Sequence, residues 1–281
     1  VPARAEYIRV LVGELNRIAS HLFAFGTYGM DIGAFTPFLY AFREREMILN
    51  LFEAVCGARL TYNYVRIGGV SRDLPGGWTE QCKLFVAKME QELVTYNNLL
   101  TENHIFVKRT ANVGVIPPKM AEAYALSGPV LRGSGIRWDL RRNAPYGVYK
   151  DLEFDIPVGR GAKGTVGDCW DRYWVRLEEM RESCRIIRQA LAKLPNGAVM
   201  AKGAKVIKPP AGAVYVKSET PRGELGFYVI SNGEKKPYRV KARAPSFCNL
   251  SVLGAIAPGH LIADIVAIIG SIDIVLGEVD R

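Results

Sequence analysis

The sequence predicts a mainly α fold of the α+β class, with a bundle of long helices and a small antiparallel β-subdomain. Four stretches, 5–25, 36–56, 80–103 and 168–194, repeat apolar residues every three or four positions, as amphipathic helices do. Residues 213–243 instead alternate apolar and polar side chains between turn-forming residues, which is typical of strands. The chain has 281 residues, 49% of them hydrophobic, so it can bury a large core.

Changes in composition divide the chain. Residues 198–211 are rich in Lys, Gly and Pro, as linkers are. We therefore expect a helical bundle core with inserted loops in residues 1–197. The β-subdomain should occupy residues 198–250, and a C-terminal helix and tail should occupy residues 251–281.

The first helix leads to a lone acid, Asp31. Gly26 and Gly29 are expected to break this helix before the acid. An acid between two apolar helices is costly to bury without a partner. Asp31 is therefore expected to be hydrogen-bonded.

The second helix begins at Thr36-Pro37, a favourable helix start, and ends at Gly57, where positive φ is useful. Alternating arginines and glutamates occupy residues 43–46 in its middle. Such a charge run is typical of a solvated helix face. The pattern alone therefore predicts an ordinary salt-bridged helix.

Polar side chains of the first helix and of the later ones are interpreted as structural. His21 is expected to be partly buried, and His104 to meet the dipole at the end of the third helix. Residues 151–167 are expected to form an acidic strand and a glycine loop. The acids and arginines of 168–194 predict i,i+4 ion pairs rather than a metal site, because no histidine joins them.

The C-terminal third predicts three short strands, 213–219, 225–231 and 236–243, of which the last two form a hairpin. A helix should follow over 258–269 and turn at Gly270. No role as a ligand is assigned to His260 at the start of this predicted helix.

Composition limits the compartment and the partners. A formal charge of +9 is compatible with nucleic acid, anionic lipid or an acidic protein. The five cysteines show no CxxC spacing, which favours a reducing compartment over a disulfide framework.

The most apolar run, 261–276, contains two acids and is too short to span a bilayer. We expect a chain that does not cross the membrane and carries no signal peptide, and Val1 suggests that translation starts elsewhere.

A basic segment leaves one alternative open. Arginines are interleaved with aromatic residues, which occurs in nucleic-acid-binding proteins and in protein interfaces alike. The residues are Arg132, Arg137, Arg141, Arg142 and Arg160, with Trp138, Tyr146 and Tyr149. The RGSG turn within this segment lacks the spacing of a nucleotide-binding loop. A buried turn with arginines bonded to carbonyl groups is the simpler interpretation.

Motifs of self-contained catalysis are missing from the sequence. It contains no GxSxG, HExxH or Walker motif, and its three histidines are far apart. The chemistry of the chain is therefore expected to depend on partners.

Longer motifs carry a resemblance to a known family. These are DIGAFTPFLYAFRERE (31–46) with GARL and RIGGV after it, LRGSGIRWDLRR (131–142), GDCWDRYWVRLEEMRES (167–183) and DIVLGEVDR (273–281). They resemble the D subunit of NADH-quinone oxidoreductase, the complex I component related to the large subunit of nickel–iron hydrogenases. The resemblance covers essentially the whole chain and implies the helical bundle of that large subunit.

The resemblance also implies a function and a site. In the family, the D subunit and an iron–sulfur subunit form the chamber where quinone is reduced with electrons from the partner's terminal cluster. Asp31 matches the aspartate that hydrogen-bonds a quinone-binding histidine, and Phe23, Thr27 and Val275 match pocket positions. The substrate would be quinone, with no cofactor or metal bound by this chain. Partners would be the iron–sulfur subunit, other peripheral-arm subunits and a membrane-arm subunit at the quinone entrance, and not nucleic acid.

Two departures from the family pattern accompany the resemblance, and one difference separates the chain from the hydrogenases. The family's quinone-binding histidine and tyrosine would lie before Val1. Many members have a histidine where this chain has Thr61, a residue that does not titrate in the physiological range. The tail GEVDR lacks the cysteines that hold nickel and iron in the hydrogenases.

We therefore expect a peripheral subunit of a complex I-type NADH:quinone oxidoreductase, an enzyme only as part of the complex. It should lie on the cytoplasmic side of the cell inner membrane, or on the matrix side in a mitochondrion. A subunit of a ferredoxin- or other donor-driven relative is the close alternative. A basic nucleic-acid-binding protein and an assembly factor are alternatives from other classes.

Overall fold

The computed structural model describes residues 1–203 and 207–280. The N-terminal part contains α1 (Ala3–Asp31), α2 (Thr36–Cys56), the antiparallel hairpin β1 (Val65–Arg66) and β2 (Gly69–Val70), and α3 (Trp78–Tyr96). Gly57 follows α2 in the left-handed conformation at φ 75° and ends it, as the sequence predicts.

α1 runs through Gly26 and Gly29 to Asp31, so the prediction that these glycines break the helix is wrong. A Cβ on Gly26 would lie 3.1 Å from Phe38 Cα, and a Cβ on Gly29 would lie 3.3 Å from the carbonyl oxygen of Ala34. The glycines therefore allow α2 and its preceding turn to approach α1 closely.

A π-helical turn (Asn97–Thr101) follows α3, and α4 (His104–Thr110) comes next. Asn103 caps α4, because its Oδ1 accepts hydrogen bonds from the N–H groups of Ile105 (2.9 Å) and Phe106 (3.1 Å). His104 thus begins a helix instead of following the end of one. Its predicted contact with a C-terminal helix dipole is wrong.

The middle of the chain contains α5 (Pro118–Ala123), α6 (Gly128–Gly133), α7 (Leu140–Asn143), a 3-10 turn (Tyr149–Asp151) and α8 (Cys169–Ala192). Residues 152–168 are irregular, so the predicted acidic strand is wrong. Side chains of α8 satisfy this backbone in place of a neighbouring strand. Glu153 N–H donates to Gln189 Oε1 and Asp155 N–H to Glu182 Oε2, both at 2.9 Å.

The predicted i,i+4 ion pairs on α8 are also wrong. Glu178 pairs with Arg181, and Glu182 with Arg185 at 3.5 Å, so both pairs are spaced i,i+3. Asp168 instead caps the helix, accepting from the N–H of Asp171 at 2.9 Å.

The three predicted strands and their hairpin are confirmed. They are β3 (Gly212–Thr220), β4 (Gly223–Ser231) and β5 (Arg239–Arg243), an antiparallel sheet in that order. Tyr228 stands opposite Tyr215 on one side and Lys241 on the other. The division of the chain into three domains stays a prediction.

The C-terminal part contains α9 (Pro245–Leu250), α10 (Leu253–Ile256), α11 (Ile262–Ile272) and α12 (Leu276–Asp280). α11 continues through Gly270, where the sequence predicts a turn. A Cβ on Gly270 would lie 2.6 Å from the ring of Tyr28, so this glycine lets α11 pack directly on α1.

α1 is the central helix, packed against α2, α8 and α11. Its apolar face contains the fully buried Ile8, Leu11, Leu15, Ile18 and Leu22. Each such side chain contributes about 1.5–3 kcal/mol to folding by leaving water. The prediction of a mainly α fold with a small antiparallel sheet is confirmed.

Candidate functional site

An open pocket of about 440 Å³ lies beside the middle of α1. Four other parts of the chain complete it: α2, the segment after α2, the β3–β4 turn and the C-terminal tail. Its lining includes Asn16, Ser20, Phe23, Arg45, Leu60, Thr61, Tyr62, Pro221, Arg222, Val275 and Glu278.

Polar contacts fix the tail against the β3–β4 turn. Arg222 Nε donates to the carbonyl oxygen of Asp273 at 3.0 Å, and its Nη2 lies 3.3 Å from Asp273 Oδ1. Ser246 Oγ donates to the carboxylate of Glu278 and accepts from Val275 N–H at 3.4 Å. These bonds hold Val275 at the pocket.

The structure brings two of the four predicted site residues together. Phe23 and Val275 both line the pocket, and each is 40% exposed. Thr27 and Asp31 follow Phe23 along α1, about 6 and 12 Å further on, and are not among the lining residues. Thr27 Oγ1 donates to the carbonyl oxygen of Phe23 at 2.9 Å.

The expectation that Asp31 is a buried, hydrogen-bonded acid is wrong. Its side chain is exposed at the end of α1, and the described residues offer its carboxylate neither a hydrogen bond nor an ion pair. Because α1 extends to this residue, the carboxylate lies beside Gly270 of α11 and is only partly shielded from water. Partial burial raises the pKa of Asp31.

Arg45 and Tyr62 are among the pocket residues that sequence reasoning missed. Arg45 lies over the rings of Phe42 and Phe23, 5.5 and 5.9 Å from their centroids. Tyr62 stacks on Phe52 at 4.1 Å, and burial raises its pKa although Arg45 acts against this. Arg45 was not recognised as a pocket residue because it belongs to the charge run 43–46, which was interpreted as a solvated helix face. Its position three residues after Phe42, on the same helix face, is the signal that could have found it.

Two arginines of the basic segment belong to a buried ionic network. Arg132 Nε lies 2.7 Å from Glu179 and its Nη1 lies 2.8 Å from Glu219, while Arg141 pairs with Asp139 at 2.7 Å and with Glu14 at 3.0 Å. Arg132 also donates to the carbonyl oxygen of Trp138, as the simpler interpretation of the segment predicts. These two arginines are fully buried, so they are not displayed to a nucleic acid.

His21 belongs to the same network. Its Nε2 lies 2.9 Å from Glu179 Oε2, and both side chains are inaccessible to solvent. Burial lowers the pKa of His21 to about 4, although Glu179 opposes the shift. The ring is therefore neutral at pH 7. His260, the histidine before α11, accepts a hydrogen bond from the N–H of Gly114 at 3.3 Å.

Metal binding and membrane crossing are two further properties of the described part of the chain. Residues 1–203 and 207–280 contain no group of three His, Cys, Asp or Glu side chains that could hold a metal ion. None of the helices in these ranges combines the length and the apolar character that crossing a membrane requires.

Comparison with known proteins agrees with the resemblance in the motifs. The family model described as the 49 kDa subunit of respiratory-chain NADH dehydrogenase matches residues 31–209 and 204–281. The NADH-quinone oxidoreductase D subunit of Bacillus anthracis is 52% identical over 281 residues, which are all of this chain and 75% of the relative.

Two further relatives carry the same name. The D subunit of Pelodictyon phaeoclathratiforme is 54% identical over 285 residues, covering this whole chain and 71% of the relative. The D subunit of Desulforamulus reducens is 53% identical over 280 residues, again with the whole chain and 75% of the relative. Such identity over the whole chain shows that this protein is a subunit of an oxidoreductase complex. The chain belongs to the D-subunit family of complex I, as the motifs predict.

Proposed function

We propose that this chain forms part of the wall of a quinone-reduction chamber in a complex I-type NADH:quinone oxidoreductase. The observation that carries the proposal is the meeting of Phe23 and Val275, from opposite ends of the chain, in one pocket. The sequence resemblance alone matches both residues to quinone-pocket positions of the family, and that match does not use the fold. Two positions so far apart in the chain meet at one cavity only if the fold brings them there.

The chemistry of the lining suits a quinone headgroup. Phe23, Leu60 and Val275 supply apolar surface, and the Tyr62 hydroxyl and the Arg45 guanidinium supply hydrogen-bond donors. Small-molecule sites combine an apolar wall with a few polar groups in about 300–1,000 Å³, and this pocket falls within that range. A planar ring with two carbonyl oxygens needs this combination.

The chain would act together with partners. Electrons would come from the terminal cluster of an iron–sulfur subunit, and the chain's own residues would bind and orient the quinone. Other peripheral-arm subunits and a membrane-arm subunit at the quinone entrance would complete the assembly, on the cytoplasmic side of the inner membrane. Asp31 and Thr27 would continue the chamber wall along α1.

Filling the pocket tests the proposal. In the assembled complex, Val275→Trp should lower quinone reduction at least about tenfold, because the indole would occupy space that the headgroup needs. Leu276→Trp is the matched control, since Leu276 is the neighbouring apolar residue, is 65% exposed and does not line the pocket. NADH oxidation by a water-soluble acceptor, which bypasses the quinone, should stay unchanged in both variants.

Two results would contradict the proposal. One is a Val275→Trp complex that assembles and reduces quinone at the rate of the unmodified complex. The other is an equal loss in both tryptophan variants, because the effect would then come from the tail as a whole.

A further inference from the structure

Arg45 is a charged residue of the pocket wall that has no ion-pair partner among the described residues. Its neighbours are paired: Arg43 contacts Glu44 and Glu92, and Arg59 contacts Glu46 and Glu53. In the described ranges, Arg45 forms no salt bridge, and its Nε–H is buried without an acceptor. The rings of Phe23 and Phe42 lie against the guanidinium in place of a carboxylate.

The other charges of the pocket already have partners within the chain. Arg222 is held by the carbonyl oxygen and the carboxylate of Asp273. Glu278, the carboxylate in the lining, accepts a hydrogen bond from Ser246 Oγ. Arg45 therefore differs from the other charged residues of the lining in having a donor that no described residue satisfies.

A guanidinium that lines a pocket without a carboxylate partner favours a ligand that brings negative charge. A buried N–H without an acceptor is unfavourable, and buried donors in proteins are nearly always satisfied. Aromatic rings stabilise a cation but do not accept the in-plane N–H bonds of a guanidinium. The missing group is an acceptor oxygen, and a negatively charged one would bind best.

We propose that Arg45 binds a negatively charged ring oxygen of a quinone-type ligand in this pocket. The inference rests on the proposed function and adds a specific role for one residue. Phe23 and Phe42 fix the Arg45 guanidinium beside the space that the quinone ring would occupy. The positive charge of Arg45 favours a ring oxygen that bears negative charge. The pocket thus selects anionic over neutral forms of the same ring.

A matched pair of ligands tests this selectivity. A 3-alkyl-2-hydroxy-1,4-naphthoquinone is ionised at neutral pH, because its hydroxyl group is a vinylogous acid, and its 2-methoxy ether is neutral. Inhibition of quinone reduction by each compound is titrated in the assembled complex. We expect Arg45→Met to weaken the anionic compound about tenfold or more, as loss of a charged hydrogen bond does, and to change the ether less than about threefold.

Three further variants complete the experiment. Arg59→Met removes an arginine that is paired outside the pocket, and it should change neither titration. Arg45→Lys should keep part of the preference for the anion, since the charge remains. Arg45→Gln keeps a neutral donor and replaces Arg45→Met if that variant does not assemble, with the same loss of preference expected.

The outcomes separate this inference from the proposed function. If Val275→Trp weakens both compounds but neutral variants of Arg45 affect them equally or not at all, the role of Arg45 is wrong and the pocket stands. If Val275→Trp leaves both titrations unchanged, the quinone pocket itself is wrong and the inference falls with it.

Discussion

His21 Nε2 lies 2.9 Å from Glu179 Oε2 in the interior of the helical bundle, joining α1 to α8. Burial acts to raise the pKa of the Glu179 carboxyl, but Arg132 and the hydrogen bond from His21 outweigh it and lower the pKa. A neutral imidazole therefore donates to a carboxylate. Acid will disturb this pair, because protonating a fully buried ring is unfavourable.

The first prediction concerns the stability of the chain in mild acid. The pKa of His21 is about 4 in the folded chain and about 6.5 when unfolded, so the unfolded chain binds more protons between these values. Folding stability should therefore fall as pH is lowered from 7 to 5, by about 2 kcal/mol from this residue. In His21→Gln this pH dependence should disappear, because the amide can donate to Glu179 but does not titrate.

Urea unfolding at pH 7, 6 and 5 measures the effect in the chain and in His21→Gln. The free-energy difference between the two proteins should shift in favour of the variant as pH falls. Parallel pH profiles would show that His21 is not buried as a neutral ring.

The second prediction concerns the buried arginine network. Arg132→Met should destabilise the chain by roughly 3–5 kcal/mol, because Glu179 and Glu219 would keep buried charges without their cation. Arg137→Met, in the same segment but outside this network, should change stability by less than about 0.5 kcal/mol. Denaturant midpoints give both values, and similar losses in the two variants would contradict the network.

The third prediction concerns a close backbone contact. A Cβ on Gly159 would lie 1.9 Å from the carbonyl oxygen of Gly133, and Gly159 N–H donates to the carbonyl oxygen of Arg132 at 2.8 Å. Gly159→Ala must separate the two segments, at an expected cost of at least about 2 kcal/mol. Gly76→Ala is the control, since a Cβ on Gly76 would have no neighbour within 4 Å. Thermal unfolding should show a clear loss for residue 159 alone.

The fourth prediction concerns Asp31 at the end of α1, whose carboxylate has no hydrogen bond or ion pair with the described residues. If this carboxylate hydrogen-bonds a quinone-binding histidine in the complex, Asp31→Asn should reduce quinone reduction about tenfold or more by removing a charged hydrogen bond. Asp151→Asn, at another exposed acid, should have no effect.

Assembly and NADH oxidation by a soluble acceptor are measured on the same membranes. Unchanged quinone reduction in an assembled Asp31→Asn complex would mean that the carboxylate has no part in the chamber.

The local sequence pattern correctly predicted the long helices and the strands of the small sheet. The long helices and the three-stranded sheet follow from apolar periodicity, because that periodicity decides which face of a segment can be buried. The glycines show the limit of this reasoning. Gly26 and Gly29 look like helix breakers in the sequence, but they serve close packing against a helix that the local pattern does not place.

The candidate site was predictable only in part. Phe23 and Val275 could be named because long motifs resemble a known family, but neither periodicity nor spacing relates two positions so far apart. Arg45 looked like one member of a solvated charge run. Its place in the pocket wall became visible once Phe23 of α1 was found beside it.

The sequence by itself determined the helical class, the small sheet, the family and the dependence on partners, since these follow from local periodicity and from long motifs. Only the tertiary structure decided which charges are buried. Arg132 and Arg141 are enclosed by acids from distant segments, Arg45 has no such acid among the described residues, and Asp31 stays exposed. The physical reason is that the energy of a charge depends on the neighbours that folding brings to it, and those neighbours are distant in the chain.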